Sequence, residues 1–285
     1  MKYSSVKIRP FNVGGAFEVK LPNGKVILID PYFTGVDFEG GFTREDVTGA
    51  DYILLTHSHF DHDLDLGYFV KKFNSQVFCG VMSAEEVLKF HQVPYDNLFP
   101  VYPNCRYTLP DFTLDTFQAK HNPNGGGTFL PDGLTEVYAK LGLQGHQRCD
   151  QLGSIESFDF MITTPNHFSI LMASGRVIWD DLFEVCKQKA PNVLLRQAGV
   201  REAGGDLKSG KQVDPPVLAE LLAKYHAQIV FPFHHDVMLA RWGKEKTGEY
   251  FAQVHAELQK LDPSSALINP QAWKWYNIGI DVSEE

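Results

Sequence analysis

Short apolar runs broken by turn residues open the chain. Residues 16–30 form two strand-like runs around Pro22-Asn23-Gly24, and this turn chemistry predicts a β-hairpin. The apolar run at 51–56 is long enough for a buried strand and too short for a helix. Further strand-like runs follow at 76–81 and 112–119. The pattern predicts a sheet built from several short, buried strands.

The second half of the chain shows a similar mixture of strands and helices. Residues 158–179 have the pattern of two paired strands around Ala173-Ser174-Gly175, and the run at 228–233 predicts another strand. Asp214 precedes Pro215 at the start of an amphipathic segment, which predicts a capped helix. Two similar halves of this kind predict two packed sheets with helices outside, an α+β arrangement.

We expect one domain over residues 1–285, because no Pro/Ser-rich linker and no internal repeat divides the sequence. Residues 122–157 differ from the rest of the chain. They begin with a glycine-rich stretch and continue with weak periodicity and many polar residues. This segment is predicted to be an insertion that runs over the surface.

The composition is that of an ordinary globular protein, with 44% hydrophobic and 21% charged residues among 285. The formal net charge of −9 offers no basic field to phosphate backbones, so no nucleic-acid partner is expected. The four cysteines form no C-x-x-C pair, which argues against a thiolate zinc site or a dithiol redox motif. Without a signal peptide or a membrane-length apolar stretch, we expect a cytoplasmic protein that has no membrane contact.

A dense group of metal-binding residue types directly follows the strand predicted at 51–56. The motif reads His57-x-His59-x-Asp61-His62. Histidines two residues apart at a strand end can point the same way, while Asp61 and His62 turn toward a neighbouring position. Imidazole and carboxylate ligands suit zinc, manganese or iron, and the absence of cysteine argues against a purely structural zinc site. The motif therefore predicts two adjacent metal sites.

Other candidate ligands also follow apolar strands. They are His121, the pair Asp180-Asp181, and His234. Each of these residues alone is more often a solvated loop residue. Because each comes where a strand ends, we expect them to converge on the same end of the sheets as the first motif, where they become candidate ligands.

These stretches, in this order, resemble the metallo-β-lactamase fold superfamily, and most closely its branch of L-ascorbate-6-phosphate lactonase-like metal-dependent hydrolases. The resemblance covers about residues 12–236. It rests on Ile29-Asp30-Pro31, the motif at 56–62, Ala119-Lys120-His121, Asp180-Asp181 and the stretch at 230–234. It implies the four-layer αββα sandwich of that superfamily, an α+β fold, and a metal-dependent hydrolase.

The resemblance also implies a ligand set, with a later aspartate that bridges two ions. One ion is held by His57, His59 and His121, and the second by Asp61, His62 and His234. Asp30 is implied to steady a ligand by hydrogen bonding, as metal ligands generally require.

Several positions leave alternatives open. Trp179-Asp180-Asp181-Leu182 stands where the family has Gly-Asp-Thr, so either acid can bridge. We favour Asp181, because a small or polar residue fits the tight preceding position better than Trp179 does. His167 competes with His121, although its place before a strand favours a structural or substrate-facing role. The candidates for substrate contact are His146, Arg196, His235 and Asp236.

The implied reaction is hydrolysis by a hydroxide that bridges two divalent ions, with zinc expected first and manganese or iron as alternatives. Asp61 is the candidate catalytic residue, which passes a proton to the leaving group. We expect a small, anionic ester substrate, either a lactone or a phosphoester, and leave a homo-oligomer open. Two alternatives are a mononuclear-iron persulfide dioxygenase and a non-enzymatic ligand-sensing protein on the same fold.

Overall fold

A computed structural model describes residues 5–11, 14–36, 40–121, 135–177, 180–200, 203–205 and 211–279. Contacts along the chain divide it into two compact units. The first unit comprises Met1–Val101, Thr128–Leu152 and Gln271–Glu285. The second comprises Tyr102–Gly127 and Gly153–Pro270. The prediction of a single domain stays a prediction.

The strands of the described residues are short and mostly buried. In chain order they are β1 (Val6–Pro10), β2 (Phe17–Lys20), β3 (Val26–Ile29), β4 (Tyr52–Leu54), β5 (Gln76–Gly80), β6 (Leu98–Val101), β7 (Cys105–Thr108), β8 (Thr113–Ala119), β9 (Ser157–Thr163), β10 (Ser169–Ala173), β11 (Val193–Gln197), β12 (Ile229–Phe233), β13 (Ala266–Leu267) and β14 (Tyr276–Ile278).

Helices connect many of these strands. They are α1 (Phe60–Asp63), α2 (Leu66–Phe73), α3 (Ala84–His91), α4 (Thr135–Leu141), α5 (Gln147–Gly153), α6 (Asp180–Gln188), α7 (Pro215–Ala223) and α8 (Asp236–Leu261), with short 3₁₀ turns at Arg44–Asp46 and Tyr95–Asn97. The long α8 is interrupted at Gly243, whose φ of 76° breaks the helical path. Among the described residues, no helix has both the length and the apolar character needed to cross a membrane.

The first unit contains one seven-stranded sheet in the order β14-β1-β2-β3-β4-β5-β6. The hairpin predicted at 16–30 is confirmed as the antiparallel pair β2–β3. From β3 onward the strands run parallel, and Ile29 pairs with Leu54. Because parallel strands end at the same edge, the residues after β3 and those after β4 lie side by side.

The second unit contains another seven-stranded sheet, in the order β13-β12-β11-β10-β9-β8-β7. Strands β7 to β10 are antiparallel, and β10 to β13 are parallel. The carboxyl ends of β8, β10, β11 and β12 therefore share one edge of this sheet. Paired strands were predicted within 158–179, but the pair β9–β10 turns at Thr164–Phe168, and the predicted turn Ala173-Ser174-Gly175 lies at the end of β10, which corrects its position. Each unit has its own hydrophobic core, and the mixture of sheets and helices confirms the predicted α+β class.

The insertion predicted at 122–157 is more than a surface excursion, which corrects that expectation. Residues 122–134 lie outside the described residues. The remainder forms α4, α5 and the start of β9, and it buries Tyr138, Leu143, Cys149 and Leu152. The weak periodicity has a physical reason, since each helix is only seven residues long and its buried positions are few.

Candidate metal centre

The first histidines of the motif lie at the carboxyl end of β4. His57 follows the strand in a buried loop, and His59 takes the N-cap position of α1 with an extended backbone. Their imidazole rings are 4.7 Å apart, and one ring nitrogen of each lies within 4.8 Å of the other. The end of β4 therefore brings an imidazole nitrogen of His57 and one of His59 close together, as the sequence predicts.

Asp61 and His62 lie in the single turn of α1. His62 is buried, whereas the side chain of Asp61 is 35% exposed. Oδ2 of Asp61 lies 3.9 Å from Nε2 of His62, and the rings of His57 and His62 are 3.9 Å apart. Four potential ligands from six consecutive residues thus lie within one small volume.

Asp30 holds this loop in place through buried hydrogen bonds. The residue follows β3, is fully buried and has a φ of 47°. Its Oδ2 lies 2.8 Å from Nδ1 of His62 and accepts the Thr56 hydroxyl at 2.6 Å, and its Oδ1 accepts the Thr56 N–H at 2.7 Å. A carboxylate on Nδ1 leaves Nε2 of His62 for a metal, which is the arrangement by which proteins orient metal-binding histidines. The hydrogen bond expected from Asp30 to a candidate ligand is present.

The charges around the motif act differently on its histidines. Burial lowers the pKa of His62, but the carboxylates of Asp61 and Asp30 outweigh burial and raise it to about 9. Burial dominates at His59 and lowers its pKa. In this environment positive charge is favoured beside His62, and a divalent cation supplies positive charge without a proton. The donor set of imidazoles and a carboxylate therefore fits the metal that the sequence predicts.

The inserted segment forms hydrogen bonds with the backbone and side chains of the motif. Oδ1 of Asp150 accepts the Phe60 N–H at 3.0 Å, at the start of α1. The Ser58 hydroxyl donates to the carbonyl oxygen of Cys149 at 2.7 Å. These bonds join residues 90 and 91 positions apart, so α5 holds the backbone that carries the candidate ligands.

His146 is buried within a network of carboxylates, which corrects its prediction as a substrate contact. Its Nδ1 lies 2.6 Å from Oδ2 of Asp150 and its Nε2 2.7 Å from Oδ1 of Asp63. Tyr138 donates its hydroxyl to Asp150 as well. Burial lowers the pKa of His146, but Asp63 and Asp150 raise it to about 10. The sequence signal for this contact is weak: a histidine and an aspartate four residues apart, which share one side of a helical turn.

The second unit places two candidate ligands at one edge of its sheet. His121 comes two residues after β8, and His234 directly follows β12 with a φ of 57°. His167 lies in the exposed turn between β9 and β10, at the other end of these strands from His121. Within this unit, His121 and His234 therefore share an edge that His167 does not reach.

Asp180 and Asp181 are exposed in the first turn of α6. Asp181 lines a cavity of about 660 Å³ beside β7 and β8, together with Arg106, Gln118 and Lys189. Trp179, on which the choice between the two acids depends, lies outside the described residues. The bridging role of Asp181 stays a prediction.

Arg196 is buried and cannot contact substrate, which corrects another expectation. The side chain donates to the carbonyl oxygens of Ala173 at 2.8 Å and Gly175 at 2.6 Å. His235, also proposed as a substrate contact, is buried against Phe251, and burial lowers its pKa to about 4. A lone arginine in the apolar strand β11 was the available signal for a buried structural role.

Comparison with known proteins agrees with these features. Residues 16–146 match the model of the metallo-β-lactamase superfamily. A metal-dependent hydrolase from Methylocella silvestris is 29% identical over 161 residues, which are 49% of this chain and 68% of the relative. Another, from Polynucleobacter asymbioticus, is 29% identical over 197 residues, 64% of this chain and 61% of that protein. The enzyme class predicted from the sequence, a metal-dependent hydrolase, is confirmed at this level.

Solved structures share the fold. The metallo-hydrolase Igni18 from Ignicoccus hospitalis has a TM-score of 0.66 at 14% identity, covering 97% of this chain and 100% of that chain. The metallo-β-lactamase fold protein YhfI from Bacillus subtilis has a TM-score of 0.61 at 12% identity, covering 96% and 99%. Identities this low bear on the fold alone. The family model over residues 16–146, the relatives and the solved structures agree on a metallo-β-lactamase fold for this chain.

Proposed function

We propose that the protein is a dinuclear metal-dependent hydrolase that acts on a small, anionic ester, either a lactone or a phosphoester. The observation that carries this proposal is the arrangement of His57, His59, Asp61 and His62 around one small volume, with Asp30 on Nδ1 of His62. A structural zinc site would be closed by thiolates or further imidazoles, whereas this set keeps a partly exposed carboxylate.

The proposed ligand set follows the order of the motifs. His57, His59 and His121 hold one ion, Asp61, His62 and His234 hold the other, and Asp181 bridges them, with Asp180 as the alternative. Zinc is proposed first, because imidazole and carboxylate ligands suit it, and manganese or iron are the alternatives. Ions bound there would supply an activated water and a positive charge for the developing oxyanion.

The side chains of the chain supply positioning and proton transfer. Asp30 fixes the ring of His62, so that Nε2 keeps one direction throughout the reaction. Asp61 is the proposed proton carrier, since its carboxylate is 35% exposed and can reach both solvent and a bound substrate. Its neighbour His62 is buried, which limits water at the inner side of the site.

An anionic substrate is proposed because bound divalent ions would supply positive charge at the site. This local charge would attract an anion even though the chain as a whole is acidic. The choice of lactone or phosphoester rests on the resemblance to lactonase-like hydrolases. Such a substrate is a small molecule, and no nucleic-acid partner is proposed. We propose a cytoplasmic location, which suits the free cysteine thiols.

The test is metal analysis combined with hydrolysis assays. The protein is purified without added metal, its ions are counted by plasma mass spectrometry, and hydrolysis of a lactone and phosphoester panel is followed. We expect about two zinc or manganese ions at this centre and turnover of at least one substrate class. His59→Ala should lose both activity and metal, whereas His167→Ala, in an exposed turn, should retain both.

Other results would replace this proposal. Full activity in His59→Ala after loss of metal would exclude the metal mechanism. A single iron with oxygen consumption on a persulfide would indicate the dioxygenase. Ligand binding without turnover at saturating metal would indicate a sensor.

A further inference from the structure

A second cluster of metal-binding residue types lies in the first unit, apart from the ligands proposed above. It consists of Asp63, His91 and His146, here called the buried His–Asp cluster. Each residue comes from the end of a helix: Asp63 ends α1, His91 ends α3 and His146 precedes α5. Their side chains are 0%, 2% and 0% exposed. Three helices thus bring three potential ligands into one closed space.

The contacts within this cluster are not those of a complete hydrogen-bond network. Nε2 of His146 forms a hydrogen bond of 2.7 Å with Oδ1 of Asp63. Nε2 of His91 lies 3.0 Å from Oδ2 of Asp63, but the two atoms do not meet hydrogen-bond geometry. Both atoms are buried and neither has a hydrogen-bond partner among the described residues. The two atoms therefore form a close ion pair that lacks a well-directed hydrogen bond, and a ligand that contacts both would complete it.

The donor set is one that divalent transition metals accept. Two imidazole Nε2 atoms and one carboxylate lie with one ligand atom each within 4.8 Å of one another. The Nδ1 of His146 is bound by Asp150, which is how a second carboxylate orients a metal-binding histidine. Metal–ligand distances of about 2.0–2.2 Å would place tetrahedral ligand atoms about 3.3 Å apart. The separations of 2.7 Å to Oδ1 and 3.0 Å to Oδ2 of Asp63 would lengthen by about 0.6 and 0.3 Å to reach this value, and the ligand atoms of the three residues already lie within 4.8 Å of one another.

We propose that the buried His–Asp cluster is a further metal site, which holds one divalent transition metal, zinc first, through Asp63, His91 and His146. The ion would replace the proton of the His146–Asp63 hydrogen bond, which is released to solvent on metal binding, and would also contact Nε2 of His91 and Oδ2 of Asp63. The carboxylates of Asp63 and Asp150 balance its charge. Because all three ligands are buried, the ion would tie α1, α3 and the start of α5 together and take no part in hydrolysis.

The test uses a pair of substitutions at His91. His91→Phe keeps a ring of similar volume and removes the ligand atom, whereas His91→Cys offers a thiolate in its place. Metal-free proteins are titrated with Zn²⁺ by calorimetry, and bound ions are counted after dialysis. We expect one ion fewer per chain in His91→Phe than in the wild type, and the full count in His91→Cys and in His226→Phe, an exposed histidine of the second unit.

Cobalt provides a second measurement that does not depend on the His91→Phe variant folding. In Co²⁺-loaded His91→Cys, a thiolate–cobalt charge-transfer band absent from the Co²⁺-loaded wild type is expected. Equal ion counts in wild type and His91→Phe, or no new band in His91→Cys, would overturn the proposal and leave the cluster as a charge network.

The proposed catalytic centre is tested separately by His57→Ala with His59→Ala. This double variant should keep the ion that His91→Phe loses. If only the double variant loses metal, the hydrolase proposal stands and the further site is wrong.

Discussion

Asp30 and His62, 32 residues apart in the sequence, form a buried hydrogen bond of 2.8 Å. The bond exists because β3 and β4 are parallel neighbours, so the residues that follow them meet at one edge of the sheet. Asp30 also binds both the N–H and the hydroxyl of Thr56, and that hydroxyl lies 3.0 Å from Nδ1 of His57. One carboxylate therefore sets the orientation of two candidate metal ligands.

Replacing Asp30 should weaken metal binding and the fold together. Asp30→Ala leaves the Thr56 N–H and Nδ1 of His62 buried without their acceptor, which should cost about 3–5 kcal/mol of the free energy of unfolding. Asp30→Asn keeps the shape and one acceptor, so it should fold better and still lose about 10–100-fold in metal affinity. Urea unfolding of the metal-free protein and competition with a chelator measure the two effects. Wild-type affinity in Asp30→Asn would show that Asp30 does not orient the ligand.

Asp150 should affect metal binding indirectly, through its hydrogen bond to the motif backbone. Asp150→Asn removes the charge that binds His146 and Tyr138 and weakens the anchor on the Phe60 N–H, so we expect about tenfold lower affinity for the motif metal. Ser75→Ala is the matched control, because it removes a buried hydrogen bond of 2.6 Å to Ala50 in the same unit. Both variants should unfold at lower urea concentration, but only Asp150→Asn should bind metal less tightly. Equal affinities in the two would limit Asp150 to a structural role.

Two helical glycines should respond to alanine in opposite directions. A Cβ at Gly67 in α2 would lie 2.6 Å from the backbone oxygen of His91, so Gly67→Ala should destabilise the protein by about 1–3 kcal/mol. A Cβ at Gly248 in α8 meets nothing within 4 Å, and Gly248→Ala should stabilise by up to about 1 kcal/mol. Urea unfolding midpoints decide both signs. A stable Gly67→Ala would mean that α2 and α3 can separate without cost.

The buried carboxyl of Asp159 should make stability depend on pH. Burial raises its pKa from 3.8 to about 6, although Arg196 and the N–H groups of Gly175 and Ser174 act in the opposite direction. As the pH rises, the Asp159 carboxyl therefore ionises at a lower pH in the unfolded chain than in the folded protein. Up to about 3 kcal/mol of the free energy of unfolding is lost between pH 4 and pH 7.

Asp159→Asn removes this titration. The free energy of unfolding of the variant should rise relative to the wild type between pH 4 and 7, as measured by urea unfolding at several pH values. A difference that stays constant with pH would mean that the carboxyl is already ionised in the folded protein at pH 4.

Local signals in the sequence were sufficient for most of the fold. The Pro22-Asn23-Gly24 turn fixes the β2–β3 hairpin, and the short apolar run before His57 becomes β4. Two features depend on distant contacts instead. The inserted helices α4 and α5 are seven residues each, so their few buried positions leave no clear period in the sequence. Their place in the first unit depends on contacts with residues that are distant in the sequence, such as Ser58 and Phe60.

The motif residues of the candidate site were predictable, because four histidine or aspartate residues within six positions are rarely accidental. The supporting residues were not. Asp150 lies 90 residues from Phe60, and no pattern within either segment indicates their hydrogen bond. Arg196 is the opposite case, since its position in the apolar strand β11 indicated burial and its nearness to the other motifs suggested a substrate contact. Only the hydrogen bonds to Ala173 and Gly175 resolve that conflict.

Asp30 and His234 both have a left-handed backbone, with φ of 47° and 57°, directly after their strands. For a residue other than glycine this conformation costs about 1–2 kcal/mol. A selection for heat resistance alone would therefore favour glycine at His234, whereas at Asp30 the buried hydrogen bonds outweigh the backbone cost and the carboxylate would stay. A selection for turnover would retain both the carboxylate and the imidazole. Sequencing survivors of the two selections would separate what the chain needs in order to fold from what it needs in order to react.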